Sequence, residues 1–458
     1  MSREFDAIIV GAGQAGPPLA ARLTAAGMKV ALVERELVGG TCVNTGCTPT
    51  KTLIASAHAA RMARRAADYG VMLEGPVRID MRAVKARMAS VVHSFHAGLE
   101  AQLGGLPHFT LYRGHARFEA PRELRVNGET ITAPRIFLNV GARPAVPPIR
   151  GVERASPLTS SSLLALEELP RHLVIVGGSY VGLEFAQMYR RFGSDVTVIE
   201  MKPHLISRED PEVSDAVRAV LENEGISVRA SAECIGFEES GRSEVRVRLD
   251  CTEGAREVVG THTLLAVGRR PNTDDLGLDR AGVELDARGY IVVDDALRTS
   301  AQGIWALGDC NGRGAFTHTA YDDFEIAASH VLGDGSRKLS DRITAYALYI
   351  DPPLGRVGLS EREARKKSKH VLVGTRPMTR VSRAIEKGET QGLMKIVVDG
   401  DSRQILGAAI LGPGGDEAIH SVVDTMYAKA PYSTLARAVH IHPTVAELIP
   451  TLLGELEA

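Results

Sequence analysis

Two stretches of the chain repeat one pattern of apolar and polar positions. The apolar run Ile8–Val10 meets a glycine loop, Gly11-Ala-Gly13-Gln-Ala-Gly16. A helical pattern follows from Leu19 to Ala26, with Gly27 suited to its C-terminal end. A second apolar run, Val30–Val33, closes on Glu34. The order returns at Val174–Val176, then Gly177-Gly178-Ser179-Tyr180-Val181-Gly182, a helix from Leu183 to Phe192, Gly193, and Val196–Ile199 closing on Glu200. Short apolar runs bounded by glycines predict strands buried on both faces, and the intervening pattern predicts a crossover helix. Each stretch is therefore a βαβ unit. Glu34 and Glu200 stand equally far from the first glycine of their loops.

Glycines at these positions have a physical purpose. The first permits a tight turn, the second lets the backbone approach a pyrophosphate, and the third lets helix and strand pack closely. The pyrophosphate then meets free N–H groups and the positive end of the helix dipole, and the acid accepts hydrogen bonds from ribose hydroxyls. One such fingerprint is weak; two in register predict two dinucleotide sites. Ser179 replaces the middle glycine of the second loop. Pro17 and Pro18 fall in the first helical turn, where missing N–H groups cost little.

Between the units the pattern predicts helices over 51–68 and 81–103 and strands around 109–118 and 136–140. Short strands follow at 228–230, 245–249 and 263–266, and a strand ending in an acid at Gly303–Asp309. From about Asp341, strands (371–375, 393–398, 405–411) alternate with helices (417–429, 433–438), an α+β region with no nucleotide fingerprint. The basic run Arg362–His370 reads as a solvated helix face and loop. With 458 residues, 44% hydrophobic and 24% charged, the composition is that of a multidomain globular protein. A net charge of −2 provides no global attraction to nucleic acid or anionic membrane. No stretch has the roughly 20 apolar residues of a membrane helix, and no targeting segment is visible, so a cytoplasmic location is expected. Five cysteines are too few for a disulfide framework.

Two of the five cysteines lie in Gly39-Gly40-Thr41-Cys42-Val43-Asn44-Thr45-Gly46-Cys47-Thr48-Pro49-Thr50-Lys51. In an ideal α-helix, residues i and i+5 are roughly 8.6 Å apart between Cα atoms, beyond the ~7 Å that a disulfide bridges. A Cys42–Cys47 bond therefore needs a broken helix. Gly46 offers the bend, and Thr48 followed by Pro49 suggests a new helix start. Cys47 would then precede a helix N-terminus that favours its thiolate. A metal site would want two more nearby ligands, and none is present in sequence, so no metal is expected. A redox disulfide fits both the spacing and the adjacent nucleotide unit. Cys234, Cys251 and Cys310 lack ligand-like spacing and read as buried inert thiols, with Cys310 adjoining Asp309.

The stretch GGTCVNTGCTPTK resembles the redox signature of the class I pyridine nucleotide–disulfide oxidoreductases, the dihydrolipoamide dehydrogenase and mercuric reductase-like flavoproteins. GIWALGD (Gly303–Asp309), Gly268-Arg-Arg-Pro-Asn272 and His440-Ile-His442-Pro-Thr-Val-Ala-Glu447 resemble further motifs of that family. The resemblance covers essentially the whole chain. It implies an α/β fold with two Rossmann-like dinucleotide-binding domains, for FAD (1–147 and 270–338) and NAD(P) (148–269), and a C-terminal α+β dimerisation domain (339–458). It implies FAD held by Gly11, Gly13, Gly16, Glu34, Gly40, Thr41, Gly141 and Asp309. The nicotinamide is implied at Gly177, Ser179, Tyr180, Gly182, Glu200 and Gly268. Glu200 would repel a 2′-phosphate, which favours NADH over NADPH despite Lys202 and Arg208 nearby.

Roles also follow from the resemblance. Cys47 would face the flavin as a thiolate and Cys42 would attack the substrate. Lys51 and Glu184 match an ion pair beside the flavin, and Tyr180 a residue that covers its face. His442, oriented by Glu447, would be the acid–base, contributed by the partner subunit of a homodimer; His440 is expected to be structural. No cysteine follows Cys310, where mercuric reductases carry a C-terminal pair, and Thr45 and Thr48 replace apolar residues of the family loop. The missing pair and the retained His442 and Glu447 favour a dihydrolipoamide dehydrogenase-like enzyme acting on a small-molecule or lipoyl-type disulfide, with no nucleic-acid or membrane partner, although the two threonines set the loop apart from the named relatives. The alternatives are a mercuric reductase-related enzyme acting on Hg or Cu ions or on a small oxidant such as hypothiocyanous acid, and, from another class, a non-catalytic flavoprotein sensor.

Overall fold

The computed structural model describes residues 2–232, 234–239, 244–250 and 256–458. Cys251 lies outside them. The chain divides into two compact units: residues 1–52, 82–145 and 268–342 form the first, and 53–81, 146–267 and 343–458 the second. The fold is mixed α/β, as the sequence pattern implies.

The first unit is built on a parallel five-stranded sheet, in the order Ile304–Ala306, Ile136–Leu138, Ala7–Val10, Val30–Glu34, Phe109–Arg113. Its central strands are buried along their whole length, which accounts for their unbroken apolar runs. The helix Gly16–Ala25 follows the first glycine loop and carries Pro17 and Pro18 in its opening turn. The stretch 109–118 is not one strand: Phe109–Arg113 and Ala116–Ala120 belong to different sheets, and Gly114 lies between them.

In the second unit the second βαβ repeats the first. His172–Val176 and Asp195–Ile199, joined by the helix Tyr180–Phe192, lie in a parallel sheet with Ser227–Arg229 and His262–Leu265. The C-terminal region forms an antiparallel five-stranded sheet, in the order Ala345–Leu348, Leu354–Gly358, Ile405–Leu411, Leu393–Asp399, Val371–Pro377. The basic run lies largely on the exposed helix Glu361–Lys367 and the turn after it. Among the described residues no helix is long and apolar enough to cross a membrane.

A buried ion network ties this unit together. Arg191, only 4% exposed, makes two hydrogen bonds to Glu224 (2.7 and 2.8 Å) and one to the Asp351 carboxylate (2.8 Å). Arg61 also pairs with Glu224, and His58 with Asp351 at 2.9 Å. Burial alone would raise the Asp351 carboxyl. The His58 hydrogen bond and the charges of Arg191, His58 and Arg61 outweigh burial and hold it well below the usual carboxylate range. A depressed carboxyl contributes stability above its unfolded value, about 3.9, and loses it as pH falls through the folded value. Arg191→Met takes the most buried cation away from two carboxylates and is expected to cost about 3 kcal/mol, read as a lower urea midpoint at neutral pH. Asp351→Asn should flatten the loss of stability below roughly pH 4. Unchanged midpoints and an unchanged acid limb would rule out this account.

Candidate active site

The site is built outward from the first glycine loop. Gly16 opens its helix so close to the strand that a Cβ there would run into the Gly11 carbonyl; Gly182 stands in the same relation to Gly177. The acids also repeat. Glu34 Oε2 accepts from the Ala12 N–H at 2.7 Å and Oε1 from the Glu36 N–H at 2.8 Å. Glu200 Oε2 accepts from the Gly178 N–H at 2.7 Å and Oε1 from the Lys202 N–H at 2.9 Å. Each carboxylate is thus clamped at the mouth of its own glycine loop, where a ribose next to a bound pyrophosphate would lie. Ser179 precedes the helix in extended backbone.

The cysteine loop is fastened to this cradle. The Gly39 N–H donates to the Ala12 carbonyl at 2.8 Å, and Gln14 Nε2 to the Gly39 carbonyl at 3.1 Å. The helix Gly40–Thr45 starts there and carries Thr41 and Cys42. It stops at Gly46, whose φ of −138° and ψ of −112° leave the helical region. A new helix, Cys47–Arg64, begins at once. Thr48 is therefore inside the first turn rather than capping it, and its carbonyl accepts from Thr52 Oγ1 at 2.8 Å. The break brings together two sulfurs that a continuous helix would hold apart. Cys42 and Cys47 are hydrogen-bond partners. That bond, then burial and the charge on Cys47, push the Cys42 thiol far up, while Thr317 and Lys51 pull it down. Cys47 is exposed at the first residue of its helix, where the dipole favours an anion.

Sequence reasoning missed Thr317 and Asp323 here. Thr317, the first residue of the helix Thr317–Leu332, places Oγ1 3.1 Å from Cys42 Sγ and 3.4 Å from Cys47 Sγ. Asp309 lies 3.6 Å from Arg269 Nε; burial raises its carboxyl and Arg269 opposes the rise. Asp323 holds the turn that bears Asp309, accepting from the Gly308 N–H at 2.7 Å and from Asn311 at 2.9 Å. Gly141 and Gly268 accept backbone hydrogen bonds from Asn272 and Ala145, fixing the strand pair beside the loop. Among the described residues, Asn44 Oδ1 and Arg269 Nε are buried with no hydrogen-bond partner. Orphaned polar atoms around an N–H-rich loop and a ribose-type acid fit a dinucleotide cofactor such as FAD. Cys310 is fully buried, its thiol pushed up to about 12 by that burial, and it donates to backbone carbonyls. It therefore behaves as an inert core group.

In the second unit Tyr180 begins its helix with its ring edge-on to Tyr346, centroids 5.6 Å apart. Tyr346 hydrogen-bonds Glu209, which pairs with Arg356 at 3.3 Å. Burial pushes the Tyr180 hydroxyl up, against the opposing effect of Arg208. Glu184 is buried and accepts from the Tyr349 N–H at 3.1 Å. Near the C-terminus Glu447 brackets His442 Nδ1 with both oxygens, at 2.9 and 3.1 Å. The other edge of that imidazole faces outward: the His442 side chain is 73% exposed, and Val439 and Ile441 beside it are 100% and 80% exposed. His440 Nδ1 lies 3.2 Å from the Ala438 carbonyl.

Residues 5–323 match the family model described as pyridine nucleotide-disulphide oxidoreductase, and residues 344–453 match that family's dimerisation domain. The chain belongs to the pyridine nucleotide–disulfide oxidoreductase family. It is similar to a dihydrolipoyl dehydrogenase of Thermus scotoductus, 36% identical over 97% of this chain and 96% of the relative. A mercuric reductase of Lysinibacillus sphaericus is 31% identical over 95% of this chain and 82% of its own. The solved Cu(II) complex of the HOCl-induced flavoprotein disulfide reductase RclA from Escherichia coli superposes with a TM-score of 0.88, at 34% identity over 99% of both chains. Pyridine nucleotide–disulfide oxidoreductases are flavoproteins, so FAD and a pyridine nucleotide are this chain's cofactors, and its activity class is that of a flavoprotein disulfide oxidoreductase.

Proposed function

We propose that this oxidoreductase uses NADH to reduce a small-molecule or lipoyl-type disulfide through Cys42 and Cys47. The observation that carries the reading is the juxtaposition of the two sulfurs at a helix start fastened to the first glycine loop. When bound, the FAD and the nicotinamide supply the two-electron chemistry. Gly11, Gly13, Gly16, Glu34, Gly40, Thr41, Gly141 and Asp309 would hold the first; Gly177, Ser179, Tyr180, Gly182, Glu200 and Gly268 would serve the second. Cys47 keeps the thiolate and Cys42 attacks the substrate disulfide. Lys51 lends positive charge to the pair, and Glu184 is its expected counter-charge. His442 exchanges the proton of the interchange thiol, with Glu447 fixing its orientation.

The exposed dyad, with bare Val439 and Ile441 on either side of His440, supports a homodimer in which a second copy covers this segment and receives His442. Glu200 supports NADH over NADPH. Lys202 Nζ is engaged by Ser207 Oγ at 2.9 Å and Arg208 by Tyr180, so neither cation is reserved for a 2′-phosphate. A second reading, reduction of a metal ion or small oxidant, draws on the Cu(II) complex of the Escherichia coli relative and on the mercuric reductase likeness. A steady-state panel separates the two. Lipoamide is expected to turn over fastest among lipoamide, glutathione disulfide, Hg²⁺, Cu²⁺ and hypothiocyanous acid, with kcat/KM for NADH at least about tenfold above NADPH because the 2′-phosphate meets Glu200. Silent disulfides alongside rapid NADH consumption with a metal ion or hypothiocyanous acid would replace the first reading with the second.

A further inference from the structure

The Thr317 hydroxyl lies between the two sulfurs, at hydrogen-bonding distance from both, 3.1 Å from Cys42 Sγ and 3.4 Å from Cys47 Sγ. It has one hydrogen to donate. Thr317 is held there by its place at the start of the helix Thr317–Leu332, whose next turns are anchored by Ala320, Phe324 and Ala327 in the core of the first unit. A hydrogen bond to a thiolate is charge-assisted and stronger than one to a thiol. The hydroxyl therefore turns toward whichever sulfur is ionised.

We propose that Thr317 is a catalytic residue of the thiol–disulfide exchange, donating its single hydrogen to Cys47 when that sulfur holds the charge and to Cys42 when Cys42 becomes the attacking thiolate. The proposal rests on the reading of Cys42 and Cys47 as the redox pair and adds a donor that serves both in turn. Its first consequence concerns charge. With the hydroxyl present, moving the thiolate from Cys47 to Cys42 leaves no sulfur anion without a donor. Its second concerns the redox couple. Dithiothreitol cleaves the Cys42–Cys47 bond by giving up two electrons and closing to its own disulfide. The released pair keeps one proton and one negative charge, and the other proton goes to solvent. A donor to that charge favours the reduced pair and has no anion to serve in the disulfide.

Thr317→Val keeps the shape and removes the hydrogen; Thr317→Ser keeps the hydrogen and removes a methyl. The full-length protein is equilibrated in mixtures of reduced and oxidised dithiothreitol. In parallel, the reduced pair is alkylated with iodoacetamide across pH, and Cys42 and Cys47 are resolved by mass spectrometry. Thr317→Val is expected to need about tenfold more reduced dithiothreitol at the midpoint, and to alkylate about tenfold more slowly at a pH below the thiolate transition. Thr317→Ser is expected to stay within about threefold of wild type in both. A valine variant matching wild type, or a serine variant falling as far as valine, overturns the proposal. If the valine variant does not fold by circular dichroism, Thr317→Ala takes its place against serine under the same two criteria. A wild-type pair that never cycles between dithiol and disulfide would instead overturn the redox-pair reading, so the two failures are distinct.

Discussion

Cys47→Ser is expected to lower disulfide-dependent NADH oxidation by roughly 10⁴-fold or more, the scale on which losing a covalent participant registers. The expectation follows from how the pair shares charge. Cys42 is held protonated by its hydrogen bond to Cys47, by burial and by the charge on Cys47. Serine at 47 carries no charge at neutral pH and cannot close a disulfide, so a mixed disulfide on Cys42 has no neighbour to resolve it. Cys42→Ser should be equally inactive toward disulfides for the complementary reason, that nothing attacks the substrate. The variants differ in a second measurement. Cys42→Ser retains the exposed sulfur at the helix start and should still alkylate readily below pH 8. Cys47→Ser, left with the more buried sulfur, should alkylate slowly. Disulfide turnover within tenfold of wild type in either variant would remove the pair from the mechanism.

The chain's local signals carry the parts of this site that are made locally. A buried strand, three glycines, a helix and an acid lie within one short stretch, and the hydrogen bonds they form, Glu34 to Ala12 and Glu200 to Gly178, close within it. The requirement for a broken helix between Cys42 and Cys47 is likewise legible, because helix geometry alone forbids the approach and Gly46 is the residue able to end one helix. The exact start of the next helix is less so. Thr48 and Pro49 look like a cap, but the glycine's departure from helical angles lets Cys47 itself begin the helix. Thr317 was out of reach: 275 positions separate it from Cys42, and a threonine at a helix start carries no mark of a sulfur beyond it. The same holds for Arg191, Glu224 and Asp351, three charges that tertiary packing makes a single buried network. The division of 109–118 between two sheets was hidden for a related reason. Both halves have strand composition, and only packing decides which neighbour each pairs with.

His442→Ala is expected to slow disulfide turnover by about 10²–10⁴-fold, the usual worth of a positioned acid–base, while NADH oxidation with an artificial electron acceptor persists. Glu447 fixes Nδ1 through two hydrogen bonds, which leaves Nε2 to handle the proton. A loss of this size also follows if the imidazole acts inside its own subunit, so the mutation alone does not reveal whose site it serves. Complementation does. Mixing Cys47→Ser and His442→Ala chains, each inactive as a homodimer, and letting them re-pair gives hybrids in half of the dimers. If His442 reaches into the other copy, each hybrid has one complete site, Cys47 from one chain and His442 from the other. The mixture should then recover about a quarter of wild-type activity, as the isologous pairing of a two-fold dimer requires. If the dyad serves its own chain, every site in every hybrid lacks one partner and the mixture stays inactive. The exposure of His442, Val439 and Ile441 in the single chain favours recovery. An inactive mixture, with hybrid formation verified by native mass spectrometry, would confine the acid–base to its own subunit.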